Sequence, residues 1–189
     1  MDKIVLTAQG LLEDSFRLGA DVIKSGFRPT LIIAIWRGGT PVGMALQELL
    51  CYSGVDADHI AIRTSSYHGV DQRSNHVEFF GLGYIINKIT PDDRVLIVDD
   101  VFDTGNSIAA VIAELKRRAR DNMAEDVRIA VPWFKPSRNQ TTLTPDYYVH
   151  ESDAWLVFPH ELDALDADEL KRERPALAAV IGPDKRPVA

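Results

Sequence analysis

The sequence predicts an α/β domain with a mainly parallel sheet flanked by helices, and three features lead there. Val95-Leu96-Ile97-Val98 is a short, mostly β-branched run closed by two acids, which is how a buried parallel strand reads. Ile108 to Arg120 follows, with Ile108, Val111, Ile112 and Leu115 at helical spacing. Thr30 to Ile35 repeats the scheme: an apolar run, a glycine-bearing turn, then a helix opened by Pro41 and continued from Val42 to Leu50.

The other elements follow in order. Thr7 to Ser25 reads as a helix, with Leu11, Leu12, Phe16, Gly19, Val22 and Ile23 on one face and Gly26 placed to end it. Asp58 to Arg63 alternates apolar and polar residues, as a half-buried strand does. Thr64 to Asn75 is polar, poor in core residues and long enough to read as a lid or a disordered loop. Val77 to Ile86 reads as a strand with a bulge at its glycines, leading through the turn Pro91-Asp92-Asp93 to the central strand. Val127 to Val131 and Asp146 to His150 are further strands. From Leu165 the chain is charged and proline-bearing, with a short helix at about Asp168 to Arg172 and a loose tail at about 175–189.

Composition narrows the function. A chain of 189 residues fits one domain with a modest appendage, and 46% apolar content is ordinary for a globular protein. The 21 basic and 28 acidic residues leave a net charge of −7, with no electrostatic footprint for nucleic acid or an anionic membrane. The single Cys51 excludes an internal disulfide, fits a reducing cytosol, and reads as a small buried hydrophobe in a helix. No apolar run is long enough to span a bilayer, and Met1-Asp2-Lys3 does not open a signal peptide, so a cytoplasmic location is expected.

The chemistry concentrates at the end of the central strand. Thr104, Gly105, Asn106 and Ser107 are small, hydrogen-bonding, and run into a helix start, where backbone N–H groups and the helix dipole favour an anion. Asp99 and Asp100 repel a phosphate but suit sugar hydroxyls or a metal ion. Asp103 lies between the two groups. The turn asks for a phosphate at one end and a diol at the other, as in a ribose 5-phosphate. At the end of the other strand, Arg37 precedes Gly38 and Gly39, so that loop invites an anion approaching the backbone closely.

On these residues the chain resembles the type I phosphoribosyltransferases. Residues 95 to 107 are similar to that family's ribosyl-phosphate motif, and Arg37-Gly38-Gly39 is similar to the pyrophosphate loop of its purine enzymes. In that family the peptide before the basic residue can be cis, which the sequence does not decide for Trp36–Arg37. Ser66-Tyr67 resembles the mobile catalytic loop. Lys135 stands where the family has a lysine donating to the six-oxo group of a purine. Asp153 to Leu162 resembles the base-recognition segment of the xanthine–guanine and hypoxanthine branch, with Trp155 as the stacking aromatic and Leu156 supplying backbone contacts. Glu161 occupies the place of an acid, usually Asp, near metal-bound pyrophosphate, and Asp163 is its rival.

The resemblance covers residues 30 to 162. It implies a single type I phosphoribosyltransferase domain over 1–189, with a core at about 28–135 and a small hood from the N-terminal region and about 136–165. It implies transfer of ribosyl 5-phosphate from phosphoribosyl pyrophosphate to a 6-oxopurine, giving the nucleoside monophosphate and pyrophosphate. The expected catalytic residues are Asp103, Ser66, Tyr67 and Arg37. The substrates would touch Arg37, Gly38, Asp99, Asp100, Asp103, Thr104, Gly105, Asn106, Ser107, Lys135, Trp155 and Leu156. Mg²⁺ is the expected cofactor, on Asp99, Asp100 and Glu161. The expected partners are the two small-molecule substrates and a second or fourth copy of the chain, with no nucleic acid and no membrane. The alternative is a non-catalytic regulator of the same fold that senses phosphoribosyl pyrophosphate.

Overall fold

The computed structural model describes the backbone of residues 3–67 and 76–182 and the side chains of 3–64 and 79–182. Residues 12–153 form one compact unit; the segment up to residue 11 and that from residue 154 form another.

The larger unit is built on a seven-stranded sheet. Its strands are β2 (Leu31–Trp36), β3 (Asp58–Tyr67), β4 (His76–Phe80), β5 (Arg94–Val98), β6 (Val101–Phe102), β7 (Asp126–Phe134) and β8 (Tyr147–Glu151). Across the sheet the order is β4-β3-β2-β5-β7-β8, with β6 pairing β7 on the same side as β5; only β3 and β4 run antiparallel. The α/β class and the mainly parallel sheet are those the apolar runs imply. β5 is central, and Val95 to Val98 are fully buried, as a strand covered on both faces must be.

β5 and β6 are one line interrupted at Asp99 and Asp100. The register against β7 is the same before and after the break: Val98 faces Ala130, and Val101 faces Trp133. Pro132, which has no N–H to give a ladder, lies in β7 beside the interruption. The two acids therefore leave the ladder at the carboxyl end of the central strand without shifting the sheet.

Helices cover both faces. α2 (Gly39–Tyr52) lies so close to β2 that a Cβ on Gly43 would stand 2.8 Å from the Ala34 Cβ. α1 (Ala8–Lys24) closes on α2, where a Cβ on Gly19 would stand 3.0 Å from Leu49. On the other face, Leu31, Ile33 and Ile35 pack with Leu82 and Ile85 of α3 (Leu82–Ile86) and with Ile108, Val111 and Leu115 of α4 (Asn106–Ala119).

In the smaller unit β1 (Lys3–Val5) pairs in parallel with β9 (Trp155–Val157). Val157, Leu165 and Leu170 form its core, joined by Leu177 and Ala178. α5 (Ala167–Glu173) opens on a capping box, in which Asp166 accepts from the Glu169 N–H and Glu169 accepts from the Asp166 N–H.

The structure corrects four expectations. Val77 to Ile86 is not one bulged strand: Gly81 sits at φ 95°, ends β4, and starts the helix that buries Leu82 and Ile85. The polar stretch from Thr64 is strand as far as Tyr67, because β4 supplies an antiparallel partner that pairs Ser66 with Val77 and Tyr67 with His76. The rest of that loop, residues 68–75, lies outside the described residues. Pro175–Ile181, read as loose tail, is a helix (α6) whose Leu177 and Ala178 find the core of the smaller unit. Cys51 is exposed near the end of α2, since its helix position faces away from the sheet.

Asp93 ties the entry of β5 to the entry of β2. Its carboxylate accepts from the Thr30 hydroxyl at 2.6 Å, the Thr90 N–H at 2.8 Å and the Thr90 hydroxyl at 3.0 Å. Burial works to raise the Asp93 pKa, but the Thr30 and Thr90 donors outweigh it, and the net shift is downward. Stability from this group is therefore complete above the ordinary carboxylate range and is lost as pH falls through the lowered value. Asp93→Asn is expected to destabilise the fold by about 1 kcal/mol near neutral pH and by much less at about pH 2, as read by denaturant titration at the two pH values.

Candidate active site

Two turns at the carboxyl end of the sheet meet. The first leaves β2 through a cis Trp36–Arg37 peptide and enters α2 at Gly38 and Gly39. The second leaves β5 through Asp99 and Asp100. A Cβ on Gly38 would fall inside the Asp100 carboxylate, and one on Gly39 would strike the Val98 carbonyl and come within 2.9 Å of the Asp99 Cα. The Gly39 N–H donates to the Asp99 carboxylate. Both glycines are therefore demanded by the approach of the other turn, which no local rule reveals.

Asp100 is buried and Asp99 is half-buried. The Asp100 N–H donates to Asp99 Oδ1 at 3.0 Å. Burial, and then the like charge of Asp100, push the Asp99 carboxyl well above the usual carboxylate range. The fit to a cation is chemical: two adjacent carboxylates, one of them held against its ordinary ionisation, are hard oxygen donors whose charge a divalent ion would relieve. Among the described residues no cluster of three acid, His or Cys side chains converges in a way that could hold a metal by protein ligands alone.

Beyond the acid pair, Gly105 takes φ 77° and opens α4 as an N-cap without a side chain to cap it. The Thr104 hydroxyl lies 3.4 Å from the Asn106 N–H. Asp99, Val101, Phe102, Asp103, Thr104, Gly105, Ser107 and Ile108 line a cavity of about 170 Å³. A larger cavity of about 490 Å³ lies along α5 and α6, but its lining is mostly Ala, Leu, Pro and Ile. Chemistry and not volume picks the site.

Asp103 sits between cations. Lys135, at the end of β7 and buried, places Nζ 3.4 Å from Asp103 Oδ2. Arg138 holds Asp103 Oδ1 at 2.5 Å from Nε. The sequence reading singled out Lys135 and missed Arg138, whose only local signal is its place three residues beyond that lysine. Arg37 is exposed beside the glycine loop.

The remaining expected residues are in other places. The side chains of Ser66 and Tyr67 lie outside the described residues. In the smaller unit Trp155 is half exposed and Leu156 is buried. Glu161 turns its carboxylate back to accept from the Phe158 N–H at 3.1 Å, while the Arg174 guanidinium donates to the carbonyls of Phe158, Pro159 and Glu161. Glu161 is thus committed in part to its own turn, and Asp163 is exposed.

A family model described as the phosphoribosyl transferase domain matches residues 3–166. The chain belongs to that family. The crystal structure of a purine phosphoribosyltransferase from Pyrococcus horikoshii Ot3 superposes with a TM-score of 0.67 at 30% identity, over 86% of this chain and 95% of that one. A hypothetical protein from Neisseria gonorrhoeae, solved with bound ppGpp, shares the fold at a TM-score of 0.69 and 22% identity, over 93% and 97% of the two chains. A hypoxanthine/guanine phosphoribosyltransferase from Methanocella arvoryzae is 36% identical over 87 residues, a stretch that spans 45% of this chain and 43% of that protein. No described helix is long and apolar enough to cross a membrane.

The sign of the Asp99 shift gives a test. A carboxyl raised by folding contributes stability below its unfolded pKa and loses it as pH rises through the folded value. Above the ordinary carboxylate range the raised Asp99 carboxyl therefore opposes folding of the ligand-free protein. Asp99→Asn is therefore expected to raise the melting temperature near neutral pH, with the gain shrinking as pH falls below the ordinary carboxylate range; calorimetry at several pH values checks it.

Proposed function

We propose that this phosphoribosyl transferase family member is a purine salvage enzyme, which moves ribosyl 5-phosphate from phosphoribosyl pyrophosphate to a 6-oxopurine. The observation that carries the reading is the contact between the Gly38–Gly39 loop and the Asp99–Asp100 pair, beside the turn that opens α4. That combination offers one ligand a pyrophosphate contact, a diol contact and a phosphate contact together. The purine and hypoxanthine/guanine enzymes among its relatives support the choice of acceptor.

The reaction breaks the bond between the anomeric carbon and pyrophosphate, so positive charge builds on the sugar. The amides of Thr104 to Ser107 anchor the 5-phosphate, and binding energy remote from the bond positions it for reaction. Arg37 and the Gly38–Gly39 backbone hold the departing pyrophosphate and balance its developing charge. Asp99 and Asp100 fix the ribose hydroxyls and would hold Mg²⁺, which when bound adds positive charge at the leaving group. Glu161, one oxygen of which accepts from its own turn, is assigned to the ion by family resemblance only. Asp103 accepts the proton the purine ring loses, as general base. Lys135 donates to the six-oxo group. Trp155 is assigned to base stacking and Leu156 to backbone contacts with the base by family resemblance, as Ser66 and Tyr67 are assigned to a closing lid that excludes water. The lone cysteine suits a cytoplasmic setting, and pairing of subunits is proposed on the same family ground.

The test is release of pyrophosphate with hypoxanthine, guanine and xanthine supplied separately, with Mg²⁺ present. Release with at least one base is expected, and Asp103→Ala should lower kcat by about 10²–10⁴-fold. Tight binding of phosphoribosyl pyrophosphate with no release from any base would instead identify the non-catalytic sensor. Full turnover by Asp103→Ala at saturating substrates would remove the base role.

A further inference from the structure

The chain that follows β7 is stitched onto the phosphate turn. The Lys135 N–H donates to the Phe102 carbonyl at 2.9 Å, and the Gln140 N–H donates to the Thr104 carbonyl at 3.0 Å. Asn106 Nδ2 donates to Gln140 Oε1 at 3.1 Å. A Cβ on Gly105 would stand 2.7 Å from Thr141 Oγ1, so the strap and the turn are in direct contact. Asn139 braces the strap from within, accepting from the Thr141 N–H at 2.9 Å and donating to the Leu143 carbonyl at 2.7 Å. Arg138 stands in the middle of this strap, its N–H bonded to the Lys135 carbonyl at 3.2 Å.

The two oxygens of Asp103 thus face two different cations. Oδ1 is held by Arg138 at 2.5 Å, and Oδ2 faces Lys135 Nζ at a looser 3.4 Å. A 6-oxopurine carries a ring N–H beside its oxo group, one donor next to one acceptor. Asp103 Oδ2 and Lys135 Nζ are one acceptor next to one donor. The looser pair is the one that matches the base.

We infer that Arg138 is a positioning residue, which holds Asp103 by its far oxygen and so keeps the Asp103–Lys135 pair open for the purine. Lys135 is buried, and an ion pair in such a place is strong because little water screens it. Without Arg138 the carboxylate turns onto Lys135, and the base and the oxo-group donor satisfy each other instead of the substrate. The inference rests on Asp103 being the base, and the experiment separates the two.

The experiment is steady-state kinetics of the full chain with Mg²⁺, a 6-oxopurine and phosphoribosyl pyrophosphate. Arg138→Gln is expected to lower kcat/KM for the purine on the order of 100-fold, the scale of a misplaced reacting group, while KM for phosphoribosyl pyrophosphate stays near the parent value. Arg138→Lys, which restores a cation, should recover most of the loss. In an Asp103→Asn background, Arg138→Gln should change the rate by less than about twofold, because the group it positions is already gone. An Arg138→Gln variant at parental rate, or one losing as much with Asp103→Asn as without it, overturns the inference. If Arg138→Gln does not fold, Arg138→Met, which keeps the length of the side chain without its charge, compared across the same two backgrounds gives the same decision. Slow turnover by Asp103→Asn with normal Arg138→Gln sinks this inference alone; normal turnover by Asp103→Asn sinks the base assignment and this inference with it.

Discussion

The glycine loop after β2 and the acid pair after β5 occupy nearly the same space, and the rest of the larger unit serves that contact. Side chains at Gly38 or Gly39 would collide with Asp100 or with the backbone of Val98 and Asp99. Adjacent parallel strands bring the two turns to one end of the sheet, with Leu31 beside Val95 and Ala34 beside Val98. The buried, β-branched strands make that register rigid, since a slip of one residue would move each apolar set to the wrong face. Two turns about 60 residues apart in the chain thereby form one polar surface.

The same contact carries an electrostatic cost in the ligand-free protein. Asp99 and Asp100 lie together, and Asp99 is driven away from its ordinary ionisation by burial and by its neighbour. Such strain against local preference is where function is expected to override stability. The helix amides at Thr104 to Ser107 and the Arg37 loop present the opposite polarity within the same group of turns. The proposed ligand, with both hydroxyls and phosphates, would relieve each part, which would link binding to stability at one place.

The strap from Lys135 to Leu143 extends this logic to the base. It is bonded to the turn at Phe102 to Asn106, so in the proposed site the residues assigned to the purine are referenced to those assigned to the sugar phosphate. The smaller unit has its own core at Val157, Leu165 and Leu170, and its own charge clamp in Arg174.

Local patterns were enough to find the buried runs at Thr30 to Ile35 and Val95 to Val98, the helices that follow them, and the glycine-bearing turn that opens at Asn106 into a helix. Those features are written in adjacent residues: apolar periodicity, a glycine, small hydroxyl and amide side chains. Where the pattern was weak the reading failed for physical reasons. A positive φ at Gly81 turned an expected strand into a strand and a helix, and an unforeseen core partner ordered Pro175–Ile181. The exposure of Cys51 depended on which face of α2 met the sheet. The sequence determined that two buried strands each run through a turn of glycine and charged or small polar residues into a helix. Only the tertiary structure decided that Gly38 answers to Asp100 and that Arg138 grips Asp103 from 35 residues away, because such pairings come from how the strands pack and not from what stands next to what along the chain.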